Sequence, residues 1–217
     1  MTGAEPAGTD PTAGQDICAA PATDAQQRRQ PRAVRTRTLL LTAAATQFDR
    51  RGFHATSLRH ISEAAGISRG ALAFHFPTKD AIAAAVLAEH HHRVAAVLDD
   101  NTTAASAFEQ MIRLTYRLAD AYRHDVLVRA GLRLTDELGP AGPDPWRRLI
   151  EAVEQLACRA AAEQELRPEL DPDQVAFAVV AVLRGVLAIC AVLGDGTDLT
   201  LRVEQMWHLL RPALCAK

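Results

Sequence analysis

Residues 57–79 read SLRHISEAAGISRGALAFHFPTK, and this stretch decides the fold. Leu58, Ile61 and Ala65 recur at helical spacing, which predicts a short helix over Leu58–Ala65. Gly66 and Ile67 then make a tight turn. Ser68 is a natural N-cap for a second short helix, Arg69–Phe74. Pro77 closes that region, and Thr78 can cap a longer helix over Lys79–Asp99. Either Thr56 or Ser57 can cap the first helix, and Glu63 follows too late to complete a capping box with them. Two short helices joined by a glycine turn make a helix-turn-helix. Leu58, Ile61, Ile67, Leu72 and Phe76 supply its small core. Burying that set leaves Ser68, Arg69 and Gly70 facing outward.

Working toward the N-terminus, Leu40, Ala44 and Phe48 share one face of a helix predicted over Val34–Arg51, and Gly52 fits the position just past its end. The net charge of the 217 residues is only −2, yet its distribution is uneven. From Arg28 to Lys79 ten bases face two acids, a local charge of +8, whereas residues 80–217 carry −6. A basic block beside an acidic body is the electrostatic footprint of a DNA-reading segment. A helix-turn-helix enters the major groove by the first residues of its second helix. Arg69 there can pair with guanine O6 and N7, and Gly70 permits close backbone approach. His75 and Lys79 sit where phosphates would pass.

Residues 36–87 resemble the DNA-binding domain of tetracycline-repressor-like (TetR) regulators. The resemblance is carried by FDRRGFHATSLRHIS (48–62), AAGISRGAL (64–72) and FHFPTKD (74–80). It implies an all-helical homodimeric repressor with a pseudo-palindromic double-stranded operator and an effector pocket in its C-terminal part. It places the helix-turn-helix at Ser57–Phe76. The DNA-contacting set it implies is Arg35, Thr56, Ser57, Ser68, Arg69, Gly70, Ala73, Phe74, His75 and Lys79. Ala73 departs from the family, which usually has a tyrosine there on the phosphate backbone. The arginine-rich arm at 28, 29, 32, 35 and 37 is then expected to carry more of the affinity, through phosphates or the minor groove.

The remainder reads as helices. Hydrophobic residues make up 48% of the chain and aromatics only 5%, so the core must be built from Ala, Leu and Val, which favours helix. Further helices are predicted over Ala104–Tyr122, Val126–Leu138, Pro145–Leu166, Asp171–Leu193 and Leu199–Leu210. That makes nine helices in an all-α chain. Residues 1–31 are rich in Ala, Thr, Pro and Gly without an apolar run, and read as a disordered tail rather than a signal peptide. The division is therefore a tail (1–31), a DNA-binding part (32–79) and an effector-binding and dimerisation part (80–217). Val175–Leu193 is nearly long enough to span a bilayer, but Arg184 at its middle argues for a soluble helix buried on most sides.

A second resemblance lies in VLVRAGLRLTDEL (126–138) followed by Pro145-Trp146, which is similar to the γ-butyrolactone-receptor branch of that family in antibiotic-producing actinomycetes. It implies that Trp146 packs on a lactone, furan or antibiotic effector and that the regulated genes serve antibiotic biosynthesis. Thr115 and Arg129 are candidates for the polar anchors, and Leu114, Leu118 and Leu132 for the apolar wall. The last two helices are expected to pair two chains, with helix 4 as the lever between effector and DNA. Binding of one would then weaken the other.

Other chemistries find little support. No phosphate loop, nucleophile elbow or acid pair is present, so no catalytic residue and no cofactor are assigned. His90-His91-His92 cannot converge on one ion, because consecutive helical residues point about 100° apart. Cys18, Cys158, Cys190 and Cys215 lack metal or CxxC spacing and read as reduced thiols of a cytoplasmic protein. A cysteine redox-sensing repressor, or a pseudo-receptor answering to an antibiotic, are the alternatives.

Overall fold

The computed structural model describes residues 22–99, 106–139, 145–193 and 198–215. Its elements are α1 (Ala22–Ala55), α2 (Leu58–Ala65), α3 (Arg69–His75), α4 (Lys79–Asp99), α5 (Ala107–His124), α6 (Val126–Leu138), α7 (Pro145–Ala162), α8 (Pro172–Leu193) and α9 (Leu199–Leu214). The extended pairing among the described residues is a single bridge, Leu166 with Cys215. The chain divides into a first unit, Met1–Thr36, and a second, Arg37–Lys217. All contacts below lie within the second.

α1 begins at Ala22 rather than at Val34, so residues 22–31 of the expected tail are helical. The run ATDAQQRR there is dominated by good helix formers. The rest of that tail lies outside the described residues. Gly52 breaks the far end of α1 with φ 78° and ψ 174°, a conformation open to glycine alone. It is not the left-handed cap the sequence suggested. α7 stops at Ala162, short of Leu166, because Gln164 turns with φ 59°. The freed Glu163 and Glu165 then accept from the Ala107 and Phe108 amides at 3.2 and 3.0 Å, satisfying the open start of α5.

Two apolar clusters organise the second unit. One joins α5, α7, α8 and α9 around Met111, Val153, Val179, Leu183 and Val203. The other gathers Leu40, Phe48, Ile61 and Leu72 of the first three helices and Phe76 just past α3 with Ile82 and Val86 of α4, and with Leu127, Ala130 and Leu134 of α6. Hence α4 and α6 are walls of the helix-turn-helix core as well as parts of the larger body. Burying apolar faces on both sides fixes these two helices where the clusters meet.

α8 departs from expectation. It is long and apolar enough to cross a membrane, yet it is not buried on most sides. Val175, Val179, Leu183 and Leu187 face the core, whereas Phe177 (65%), Ile189 (62%) and Val192 (86%) are exposed. Arg184 leaves the apolar run to pair with Asp136 at 2.7 Å.

Candidate nucleic-acid interface and effector cavity

Ser57 is the N-cap of α2, with its hydroxyl accepting from the His60 amide at 3.2 Å. His60 Nδ1 in turn accepts from the Ser57 amide at 3.3 Å, closing a capping box with a histidine in the place of glutamate. The Thr56 alternative is thereby resolved. Thr56 is only 2% exposed, and its hydroxyl donates to the Gly52 carbonyl at 2.7 Å. It ties the α1–α2 corner and is removed from the candidate DNA contacts.

Gly66 (φ 63°) ends α2, and Ser68 caps α3 by accepting from the Ala71 amide at 3.2 Å. With Leu72 and Phe76 inward, the opposite face presents Ser68, Arg69, Gly70, Ala73 and Phe74, all exposed. Phe74 is 84% exposed, stacked edge-on with His75 at 5.4 Å. The Arg69 side chain makes no hydrogen bond or ion pair among the described residues, unlike neighbouring Arg59, which pairs with Glu63 at 2.7 Å. Lys79 differs from expectation too. Its ammonium donates to the Phe53 carbonyl at 2.9 Å and sits 4.1 Å above the Phe53 ring, so it first braces the end of α1. Arg35 is exposed on α1, in the first unit.

Two adjoining cavities of the larger body share lining residues. A cleft of about 810 Å³ is lined by residues of α1 and of α5 to α9, among them Asp49, Arg129, Leu132, Trp146 and Arg184. Beside it a small apolar cavity of about 40 Å³ is walled by His90, Leu118, Leu132, Trp146 and Leu183. Trp146 and Leu132 line both, and the Arg184 guanidinium lies 4.8 Å over the Trp146 ring. Of the residues singled out for the effector, Trp146, Leu132, Leu118 and Arg129 thus meet at these cavities.

Thr115 and Leu114 do not. Thr115 is fully buried, accepting from Trp207 Nε1 at 2.7 Å and donating to the Ile112 carbonyl at 2.7 Å. It pins α9 to α5, and Leu114 is packed into the same core. Thr115→Val strands a buried indole N–H, so we expect it to cost about 2 kcal/mol of unfolding free energy. Thr115→Ser keeps the acceptor and should lose less than half as much. Denaturant titration checks both.

Sequence reasoning missed the polar seam between α6 and the end of α1. Arg129, Arg133 and Glu137 stand four residues apart on one face of α6. Arg129 Nε donates to the Asp49 carboxylate at 3.0 Å, and Arg133 Nη1 to the Asp49 carbonyl at 2.7 Å. Glu137 accepts from Arg133 Nε at 2.8 Å and from the Phe53 amide at 2.6 Å. Burial raises the Glu137 carboxyl, but Arg133 and the Phe53 amide outweigh it and hold the group below the usual carboxylate range. The i, i+4, i+8 spacing of charges was visible in the sequence; their partners 80 and 84 residues away were not.

Among the described residues no cluster of His, Cys, Asp and Glu could hold a metal ion. Burial pushes the Cys190 thiol up, away from the reactive thiolate.

A capped helix-turn-helix whose exposed face carries Arg69 and Phe74 adjoins an all-helical body with a cleft of about 810 Å³. Residues 40–86 match the bacterial regulatory proteins of the tetR family, and residues 105–216 match the tetracyclin repressor-like C-terminal domain. The chain belongs to the tetR family. This member is 31% identical over 189 residues to the A-factor receptor protein of Streptomyces griseus, covering 86% of this chain and 66% of that protein, just under two thirds of its length. It is 46% identical over 48 residues to the HTH-type transcriptional regulator RutR of Escherichia coli (strain K12), covering 22% of this chain and 23% of RutR. Among solved structures, a gamma-butyrolactone receptor (ArpA-like protein) superposes with a TM-score of 0.72 at 28% identity, covering 85% of this chain and 90% of that one. The TetR family protein CprB from Streptomyces coelicolor, in complex with its operator sequence, superposes with a TM-score of 0.70 at 30% identity and the same coverage.

Proposed function

We propose that this tetR-family protein is a ligand-responsive repressor that binds a pseudo-palindromic operator in the cytoplasm and leaves it when a small effector fills the Trp146 cavity. Residues 32–79 read DNA and residues 80–217 bind the effector and pair two chains. The observation that carries the reading is the exposed, uncommitted Arg69 at the start of a helix whose other face is locked into a core. A guanidinium with no internal partner is free to form two parallel bonds to one guanine. The operator complex of CprB supports the DNA half of the reading.

Pairing is assigned to α8 and α9. Phe177, Ile189, Val192 and Leu209 leave an apolar surface there that a monomer would expose to water. Two-fold pairing would present two reading heads to two half-sites. The likeness to the A-factor receptor and to gamma-butyrolactone receptors supports a lactone or a related furan as effector, with antibiotic biosynthesis as the regulated process.

The test is selection of binding sites from genomic DNA, followed by titration of the selected site at fixed salt with wild type and Arg69→Ala. Wild type should select a two-fold symmetric site. Arg69→Ala should bind it roughly 10–100-fold more weakly and lose preference at one base pair in each half. Failure to enrich any sequence would overturn the proposal.

A further inference from the structure

We propose that the row Arg129, Arg133 and Glu137 on α6 is the release catch between cavity and reading head, opened by an oxygen acceptor on the cavity occupant. This rests on the repressor reading above and gives its regulation a physical location. Arg129, Arg133 and Asp49 line the 810 Å³ cleft, and the two arginines also grip α1 at Asp49, just before the Gly52 break. A molecule in that cleft and the end of α1 therefore compete for the same guanidiniums.

The gripped end of α1 is a natural point of release. Past Asp49 the helix survives only to the Gly52 break, and the Phe53 amide beyond it finds its acceptor on Glu137. Phe53 is a core residue of the reading head, stacked on Phe48 with centroids 6.0 Å apart. Its carbonyl also holds Lys79. One side chain on α6 thus fixes the corner from which α2 and α3 are hung.

Arg129 is built to exchange partners. The carbonyls of Tyr122 and Arg123, at the last turn of α5, hold its Nη1 at 3.0 and 2.7 Å. Those bonds fix the guanidinium to the body, leaving the Asp49 carboxylate as its one partner on α1. An effector carboxylate or carbonyl at this wall replaces Asp49 without moving Arg129. The chemistry the cleft selects is therefore an apolar effector, facing Trp146 and Leu132, that carries an oxygen acceptor at its other end.

The experiment needs neither effector nor operator. Amide hydrogen exchange at Phe53 is followed in wild type, Glu137→Gln and Asp49→Asn, and in the pair Leu132→Glu and Leu132→Gln. Residue 132 lies three positions from Arg129 on α6, within side-chain reach. Its glutamate form supplies a carboxylate from the cavity side, and its glutamine form the same shape without charge. We expect exchange at Phe53 at least 10-fold faster in Asp49→Asn than in wild type, and clearly faster in Leu132→Glu than in Leu132→Gln. Amides of α8 should keep their wild-type rates, which separates release of the catch from global unfolding. Equal rates in the two Leu132 variants, or unaltered exchange in Asp49→Asn, would overturn the proposal. If a selected site is available, Asp49→Asn should bind it at least 10-fold more weakly. Exchange that responds as stated in a protein that selects no DNA would sink the repressor reading and leave the catch standing.

Discussion

Gly131→Ala is expected to destabilise the protein by about 3 kcal/mol, although alanine is the better helix former by ~1 kcal/mol. Gly131 of α6 lies against His90 of α4. A Cβ built there would fall well inside van der Waals contact of His90 Cβ and Cγ, and 2.8 Å from Nδ1. His90 Cβ is fixed by the α4 backbone, so no rotamer change clears it and the helices themselves must part. Both helices belong to the core of the reading head, so the disturbance is not local. Equilibrium denaturation of Gly131→Ala, His90→Gly and the double variant measures the effect. The double variant should recover at least 1 kcal/mol relative to the sum of the single losses. A neutral Gly131→Ala would mean that α4 and α6 slide apart freely, and the close approach would lose its role in holding the two helices in register.

What could be read beforehand, and what could not, follows the range of the interactions involved. The helix-turn-helix was legible because its determinants are local: periodic Leu58, Ile61 and Leu72, a glycine turn at Gly66, a cap at Ser68 and a break near Pro77. Local rules also left Thr56 and Ser57 indistinguishable, since both can cap. Burial decided between them, and burial depends on Gly52 folding back over the corner. Thr115 read as a pocket residue because a hydroxyl on an apolar helix invites a ligand, but its partner is Trp207, 92 residues on. Likewise a run of apolar residues in α8 says how much surface is greasy without saying which face meets the core. Arg129 was assigned to the effector from its polarity alone. The structure retains it at the cavity and adds what no periodicity could show, that the same guanidinium is committed to Asp49.

His90 carries the other large effect, and it is a dependence on pH. It is 3% exposed, its Nδ1 has no hydrogen-bond partner, and it walls the small apolar cavity beside Trp146. Burial pushes its pKa down to about 4, with the neighbouring His91 adding to the shift, while the Val128 carbonyl and Asp125 pull weakly the other way. The unfolded chain returns the imidazole to about 6.5. Between those values the unfolded state binds a proton that the folded state refuses. Stability from a neutral His90 is therefore complete above pH 6.5, falls as the pH drops toward 4, and changes no further below it. At ~1.4 kcal/mol for each pH unit, the loss reaches about 3 kcal/mol. Denaturant titrations at fixed protein concentration from pH 7.5 to 4 should show this fall in wild type. His90→Phe, which has no proton to bind, should lose about 3 kcal/mol less over the same range. Parallel pH profiles for the two proteins would show that His90 reaches water before the protein unfolds, and the small cavity would then be an open chamber in solution. Divergent profiles would establish a dry wall, against which any polar group of an effector must either bond Nδ1 or remain in the cleft beside Arg129.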